Sequence, residues 1–272
     1  MSTDCYAPPD ERPTAVARLL RLGRLLAHLG AMWLTARLLA PRLSRAQRAA
    51  TTRFWAARLL AAIAVEVRVR GTRPRAGEAA LFVANHVSWL DTYALHTVHA
   101  ARFVAKDEVA GWPIIGVIAA RFGTLFIRRG SRRAAAHTVA ALAQALCEGE
   151  SVAAFPEATT SDGTELLPFF PAMFQSAVVT GARVHPVAIR YCDRAGRPTS
   201  AAAFVGDMSI AASLRLLLDQ SRIVAELTFC APIDPNGLDR KALGATARTA
   251  IATALQVPSA AASPTTPLRR AA

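Results

Sequence analysis

The segment Asn85-His86-Val87-Ser88-Trp89-Leu90-Asp91 sets an imidazole five residues ahead of a carboxylate. Histidine is the commonest general base near neutral pH, and a carboxylate on its far ring nitrogen fixes the tautomer and stabilises the imidazolium. His86 and Asp91 have the residue types for such a pair. Five is not a same-face helical spacing, so a loop or a helix N-terminus has to bring them together. With six His and ten Asp in 272 residues, an H-x4-D pair arises by chance in roughly one chain in five. On that count alone, a core histidine satisfied by its neighbours explains the residues as well. Position favours chemistry, because the apolar run Leu81-Phe82-Val83-Ala84 reads as a buried strand and delivers the segment from its carboxyl end, where α/β ligand sites usually lie. Ser88 lacks a G-x-S-x-G elbow and the cysteines have no catalytic signature, so no nucleophile accompanies the pair. Such a dyad points to direct attack by a substrate hydroxyl that the histidine activates.

The elements that must hold these residues follow from periodicity. Val65, Val67 and Val69 alternate with Glu66, Arg68 and Arg70, the period of a half-buried strand. Further strand-length apolar runs occur at 80–84, 102–105, 125–127, 152–155, 184–189 and 224–229. Helical stretches lie between them, clearest at 132–147, 171–180, 210–220 and 239–256. The alternation predicts an α/β fold with a mixed, largely parallel sheet flanked by helices. The Pro-, Ala- and Ser-rich tail, 257–272, reads as disordered.

Before Val65 the composition differs. Residues 1–70 carry twelve Arg against Asp4, Asp10, Glu11 and Glu66, so eight of the thirteen net positive charges sit there. An anionic membrane surface or a nucleic acid could each explain the asymmetry. The absence of a zinc finger, a helix-turn-helix signature or an RNP motif argues against nucleic acid. In residues 14–40, Arg18, Arg21, Arg24 and His28 share one side, with Leu19, Leu22, Leu26, Met32 and Trp33 mostly elsewhere. The longest Arg-free stretch, 25–36, is twelve residues, whereas a span needs ~20. With a second such segment at 51–65, the pattern is an N-terminal amphipathic helical hairpin that either lies in a lipid interface or packs on the body. The four scattered cysteines fit a reducing compartment.

The dyad segment resembles the NHxSxxD block of the glycerolipid acyltransferases, the family of bacterial lysophosphatidic acid acyltransferases. Other blocks follow in family order over roughly 65–190. Lys106 with Gly111-Trp112-Pro113-Ile114-Ile115-Gly116 resembles the K…xWPxxG stretch, and Gly123-Thr124-Leu125-Phe126-Ile127-Arg128-Arg129 resembles GxxFIxR. Phe155-Pro156-Glu157-Ala158-Thr159-Thr160-Ser161 is similar to FPEGTRS, and Val184-His185-Pro186-Val187-Ala188-Ile189 to VxPVxI.

The resemblance implies that His86 deprotonates the free hydroxyl of a lysolipid while Asp91 holds the ring. The oxygen then attacks the thioester of acyl-CoA or acyl carrier protein, with no cofactor and no metal. It further implies acceptor binding by Lys106, Arg129, Glu157, Thr159 and Thr160, with support from Asn85, Ser88, Gly123, Phe126, Phe155, Pro156 and Pro186. Residues 1–64 would be membrane-associating helices and 65–256 the catalytic domain, acting at the cytoplasmic face of a bacterial inner membrane as a peripheral or monotopic protein.

Two departures bear on the acceptor. The third block normally reads Gly-Thr-Arg, its Arg binding the acceptor phosphate, but here reads Ala158-Thr159-Thr160. A threonine cannot replace a bidentate phosphate contact. Thr159-Thr160-Ser161-Asp162-Gly163 instead resembles the branch that acylates lyso-ornithine lipid, whose acceptor offers a carboxylate and an amine. Ala158 departs from both branches, at a position whose usual Gly suits φ > 0 or close substrate approach. Lyso-ornithine lipid is therefore the favoured acceptor, 1-acyl-glycerol-3-phosphate the alternative, and a non-catalytic lipid-binding module the different-class alternative.

Overall fold

The computed structural model describes residues 12–75, 77–127 and 132–257. In chain order these form helices α1 (Ala15–Leu38) and α2 (Arg45–Ala62), strands β1 (Val65–Gly71) and β2 (Leu81–Ala84), helix α3 (Leu90–Val98), and strand β3 (Arg102–Lys106). Helix α4 (Ile115–Arg121), strand β4 (Leu125–Ile127), helix α5 (Arg132–Cys147), strand β5 (Val152–Ala154) and helix α6 (Gln175–Thr180) follow. Strand β6 (Val184–Cys192), helix α7 (Ile210–Leu218), strand β7 (Ile223–Phe229) and helix α8 (Arg240–Leu255) complete the order.

The strands make one sheet in the order β1-β7-β6-β2-β5-β3-β4. The β6–β7 pair is antiparallel, and every other neighbouring pair is parallel. This is the expected mixed, largely parallel α/β sheet. β2 lies at its centre between β6 and β5 and is buried on both faces, which explains its unbroken apolar run. Phe82 and Ala84 enter a core shared with α1, α2, α3 and α7, while Leu81 and Val83 enter a second core against α5, α6 and α8. The carboxyl ends of β2, β3, β4 and β5 carry four of the family blocks to one edge of the sheet.

Helix α1 begins at Thr14, whose side chain accepts from Ala17 N–H, and α2 at a capping box between Ser44 and Gln47. Leu25, Met32 and Ala36 of α1 and Leu59 and Leu60 of α2 join the same buried core as the sheet. Arg18 and Arg21 of α1 reach the body of the domain. Arg18 pairs with Asp219 at 2.6 Å, and Arg21 donates to the carbonyls of Gln220 and Ser221 at 2.6 and 2.9 Å, just beyond the end of α7. A cation is favoured at such a helix C-terminus. His28 is buried edge-on to Trp55. The opposite side of α1 exposes Val16, Leu19, Leu20, Leu26, Leu34 and Leu38, with Leu19 at 69% and Leu26 at 61%. Among the described residues, no helix is long and apolar enough to cross a membrane. The tail assigned to 257–272 lies, from 258 onward, outside the described residues.

Candidate active site

Where β2 ends, the side chain of Asn85 continues the sheet in place of the backbone. Its Nδ2 donates to the Ile189 carbonyl at 2.9 Å and its Oδ1 accepts the Ile189 N–H at 2.7 Å. The main chain is thereby free to leave the sheet at His86. Two residues on, the Ser88 hydroxyl accepts Leu90 N–H at 3.3 Å, and α3 starts with Asp91 in its first turn. This resolves the five-residue spacing, since a carboxylate in the first turn can reach back over the loop that precedes the helix. Asp91 Oδ2 accepts His86 Nδ1 at 2.8 Å and the N–H groups of Val87 and Ser88 at 2.7 and 2.9 Å. Its Oδ1 accepts the Tyr191 hydroxyl at 2.7 Å. Asp91 is fully buried, and these donors, with the helix N-terminus, offset the cost of burying its charge.

The imidazole is 21% exposed and lies flat on Phe155, with ring centroids 4.0 Å apart and planes within 6°. A carboxylate accepts only, so Nδ1 carries the proton and Nε2 the lone pair. Glu157, on the loop that leaves neighbouring β5, closes the back of the site. One of its oxygens accepts His86 N–H at 2.7 Å and the other Leu167 N–H at 2.9 Å. Burial pushes this carboxyl up to about 7, against the lowering effect of those two donors; Asp91 adds to the rise and Arg248 opposes it. The arrangement has the geometry for a base oriented by a buried carboxylate, set at the edge where parallel strands end.

Residues 66–190 match the family model described as Acyltransferase. A lyso-ornithine lipid O-acyltransferase of Pseudomonas aeruginosa is 42% identical over 204 residues, covering 75% of this chain and 78% of that protein. The chain belongs to the acyltransferase family. A 1-acyl-sn-glycerol-3-phosphate acyltransferase of Neisseria gonorrhoeae is 37% identical over 185 residues, covering 68% of this chain and 72% of the relative. The crystal structure of the lysophosphatidic acid acyltransferase PlsC from Thermotoga maritima shares the fold. Its TM-score is 0.67 at 19% identity, over 89% of this chain and 94% of the other.

Of the residues that the motifs singled out in this acyltransferase, His86, Asp91, Asn85, Ser88, Phe155 and Glu157 come together as described. Pro156 is buried and its carbonyl accepts Phe170 N–H at 2.9 Å, which shapes the 156–170 loop. Ala158 has φ of +60°, the left-handed conformation that the usual glycine suggested. Thr159 is exposed beside it. The Thr160 hydroxyl donates to the Phe204 carbonyl. Phe204 N–H in turn donates to the Val87 carbonyl at 2.9 Å, so Thr160 bolts the segment before α7 over the dyad loop.

Gly123, Phe126 and Pro186 belong to the scaffold. The Gly123 carbonyl accepts Arg102 Nε–H at 2.9 Å, half-buried Phe126 sits in β4, and Pro186 pairs with Val83 within the sheet. Lys106 ends β3 beside Ile127, and Arg129 lies outside the described residues. A side chain on Gly116, the last residue of the WPxxG stretch, would meet the Ala110 carbonyl oxygen at 2.4 Å, so close backbone approach accounts for this glycine.

Tyr191, Phe204 and Arg248 also shape the site and escape the motifs. Arg248 of α8 donates to the Leu166 and Leu167 carbonyls at 2.7 and 3.1 Å, holding the loop whose Leu167 N–H Glu157 accepts. A polar-tipped tyrosine near the end of the largely apolar run of β6 is the one signal available for Tyr191. Among the described residues, no three His, Cys, Asp or Glu side chains gather as a metal site would require.

Proposed function

We propose that this acyltransferase moves a fatty acyl group from acyl-CoA or acyl carrier protein to the free hydroxyl of a lysolipid, with lyso-ornithine lipid favoured as acceptor. The observation that carries the reading is the 2.8 Å contact between His86 Nδ1 and buried Asp91, which leaves Nε2 as the base. Nε2 takes the acceptor's hydroxyl proton as that oxygen adds to the thioester carbonyl. The tetrahedral intermediate collapses with loss of the thiolate, which recovers the proton from the imidazolium. An ester and a free thiol result, with neither an acyl-enzyme nor a metal or cofactor in the proposed step.

Thr160 supports the zwitterionic acceptor. It replaces an arginine, and its hydroxyl is already engaged by Phe204. The phosphate acceptor remains the second reading, favoured by the 37% identical neisserial relative and by Lys106 and Arg129 in their family positions. The leucine face of α1 supports attachment to an anionic bilayer as a peripheral or monotopic protein. Thioester donors of this kind suggest the cytoplasmic face of a bacterial inner membrane. In this reading 1–64 serve the membrane and 65–256 the chemistry, with no role for nucleic acid.

The test is acyl transfer by purified protein, offered each lysolipid with each donor. His86→Ala should lower turnover by ~10²–10⁴-fold with folding unchanged. Near-normal turnover in that variant refutes the mechanism.

A further inference from the structure

Asp91 is fully buried, and its two oxygens are held differently. Oδ2 is fixed by His86 and two loop N–H groups within five residues of chain, whereas Oδ1 is held from β6, a hundred residues away. Tyr191 reaches it because Ile189 and Tyr191 lie on the same face of β6, and the Ile189 peptide is clamped by Asn85 at the end of β2. One strand therefore sets both the point where the dyad loop departs and the rotation of the dyad carboxylate.

We propose that Tyr191 is a positioning residue for acyl transfer, one that acts through Asp91 by holding Oδ1 so that Oδ2 stays in line with His86 Nδ1. This rests on the assignment of His86 as the base. Without the hydroxyl, Oδ1 has lost its donor, and only the donors on Oδ2 then resist rotation of the carboxylate about its Cβ–Cγ bond. Phe155 stacking constrains the imidazole's plane but not its rotation within that plane. The hydroxyl is a dependable donor, because burial first and the Asp91 charge second hold the Tyr191 phenol well above its ordinary value. Tyr191 is only 2% exposed and surrounded by core side chains, so its ring packs as a phenylalanine would and its hydroxyl alone serves the dyad.

The experiment is Tyr191→Phe in the full-length enzyme, with kinetics across pH. A hydrogen bond to a charged group is worth about ten- to a hundredfold, and kcat should fall by that factor while KM for acceptor and donor stays within about threefold. The acid limb of the kcat/KM profile should move to higher pH, since a carboxylate with one donor fewer holds the imidazolium more tightly. In an Asp91→Asn background, Tyr191→Phe should add little, because the group it acts through is gone. An unchanged kcat and acid limb overturns the proposal. A loss that is fully additive with Asp91→Asn and leaves the acid limb in place also overturns it, as packing alone would then explain the effect. His86→Ala separates this from failure of the parent reading: if that variant turns over normally, the dyad assignment falls and Tyr191 with it.

Discussion

Replacing Glu157 with glutamine should change the pH dependence of stability in a calculable direction. The buried carboxyl sits at about 7 against an ordinary 4.5. At about 1.4 kcal/mol per pH unit, that difference corresponds to about 3 kcal/mol. The sign follows from proton counting. Between pH 4.5 and 7 the folded chain keeps a proton on Glu157 that the unfolded chain has released, so folding is favoured by acid. The stability tied to this group is full below about 4.5, falls as pH rises, and levels off above about 7. Glutamine cannot titrate, and its amide NH₂ would face either His86 N–H or Leu167 N–H, a constant cost of about 1–3 kcal/mol. Urea unfolding of both proteins from pH 4.5 to 8 checks the prediction. The wild-type advantage over Glu157→Gln should shrink by about 3 kcal/mol across that range. A flat difference, or one that grows with pH, would show that the two backbone donors outweigh burial and keep Glu157 ionised throughout.

Four further outcomes follow from the geometry. Ala158→Gly relieves a left-handed alanine worth ~1–2 kcal/mol, less the backbone entropy of glycine, and should raise the thermal midpoint by about 1–3 °C with activity retained. Thr160→Arg should raise the kcat/KM ratio for the phosphate acceptor over lyso-ornithine lipid by about ten- to a hundredfold. Thr160→Val, which also loses the Phe204 bond, should lower kcat without changing that ratio; an unaltered ratio in the arginine variant means that phosphate is held elsewhere. Leu19→Asp with Leu26→Asp should leave the fold intact and weaken sedimentation with anionic vesicles at least about tenfold, whereas high salt should only partly release wild type. Full binding by the double variant would remove α1 as the membrane contact.

All seven strands are legible in the linear pattern, because a sheet buried on both faces needs unbroken apolar runs and its edge needs alternation. Helices α3 and α4 are not. Each starts inside a family block that dominates its reading, α3 in the dyad segment and α4 in the WPxxG stretch. The dyad is visible for a local reason: Asp91 reaches back only five residues, so its geometry is written in adjacent sequence. The left-handed turn at Ala158 shows itself only as a departure from the family's glycine.

What remains depended on which distant surfaces meet. A helical wheel divides α1 into an arginine side and a leucine side but is silent on which of them faces the body. The carbonyls past α7 bear on it, because Arg21 satisfies them while Leu19, Leu20 and Leu26 stay outside. Thr160 finds a hydrogen-bond partner in Phe204, forty-four residues away, which its sequence neighbours do not disclose. Tyr191 meets Asp91 only through the register of β6 against β2, a hundred residues along the chain. Periodicity, capping and short spacings report forces that act within a few residues. Partner choice for a buried carboxylate or a helix face is settled by whichever donors and apolar surfaces the completed sheet places beside it.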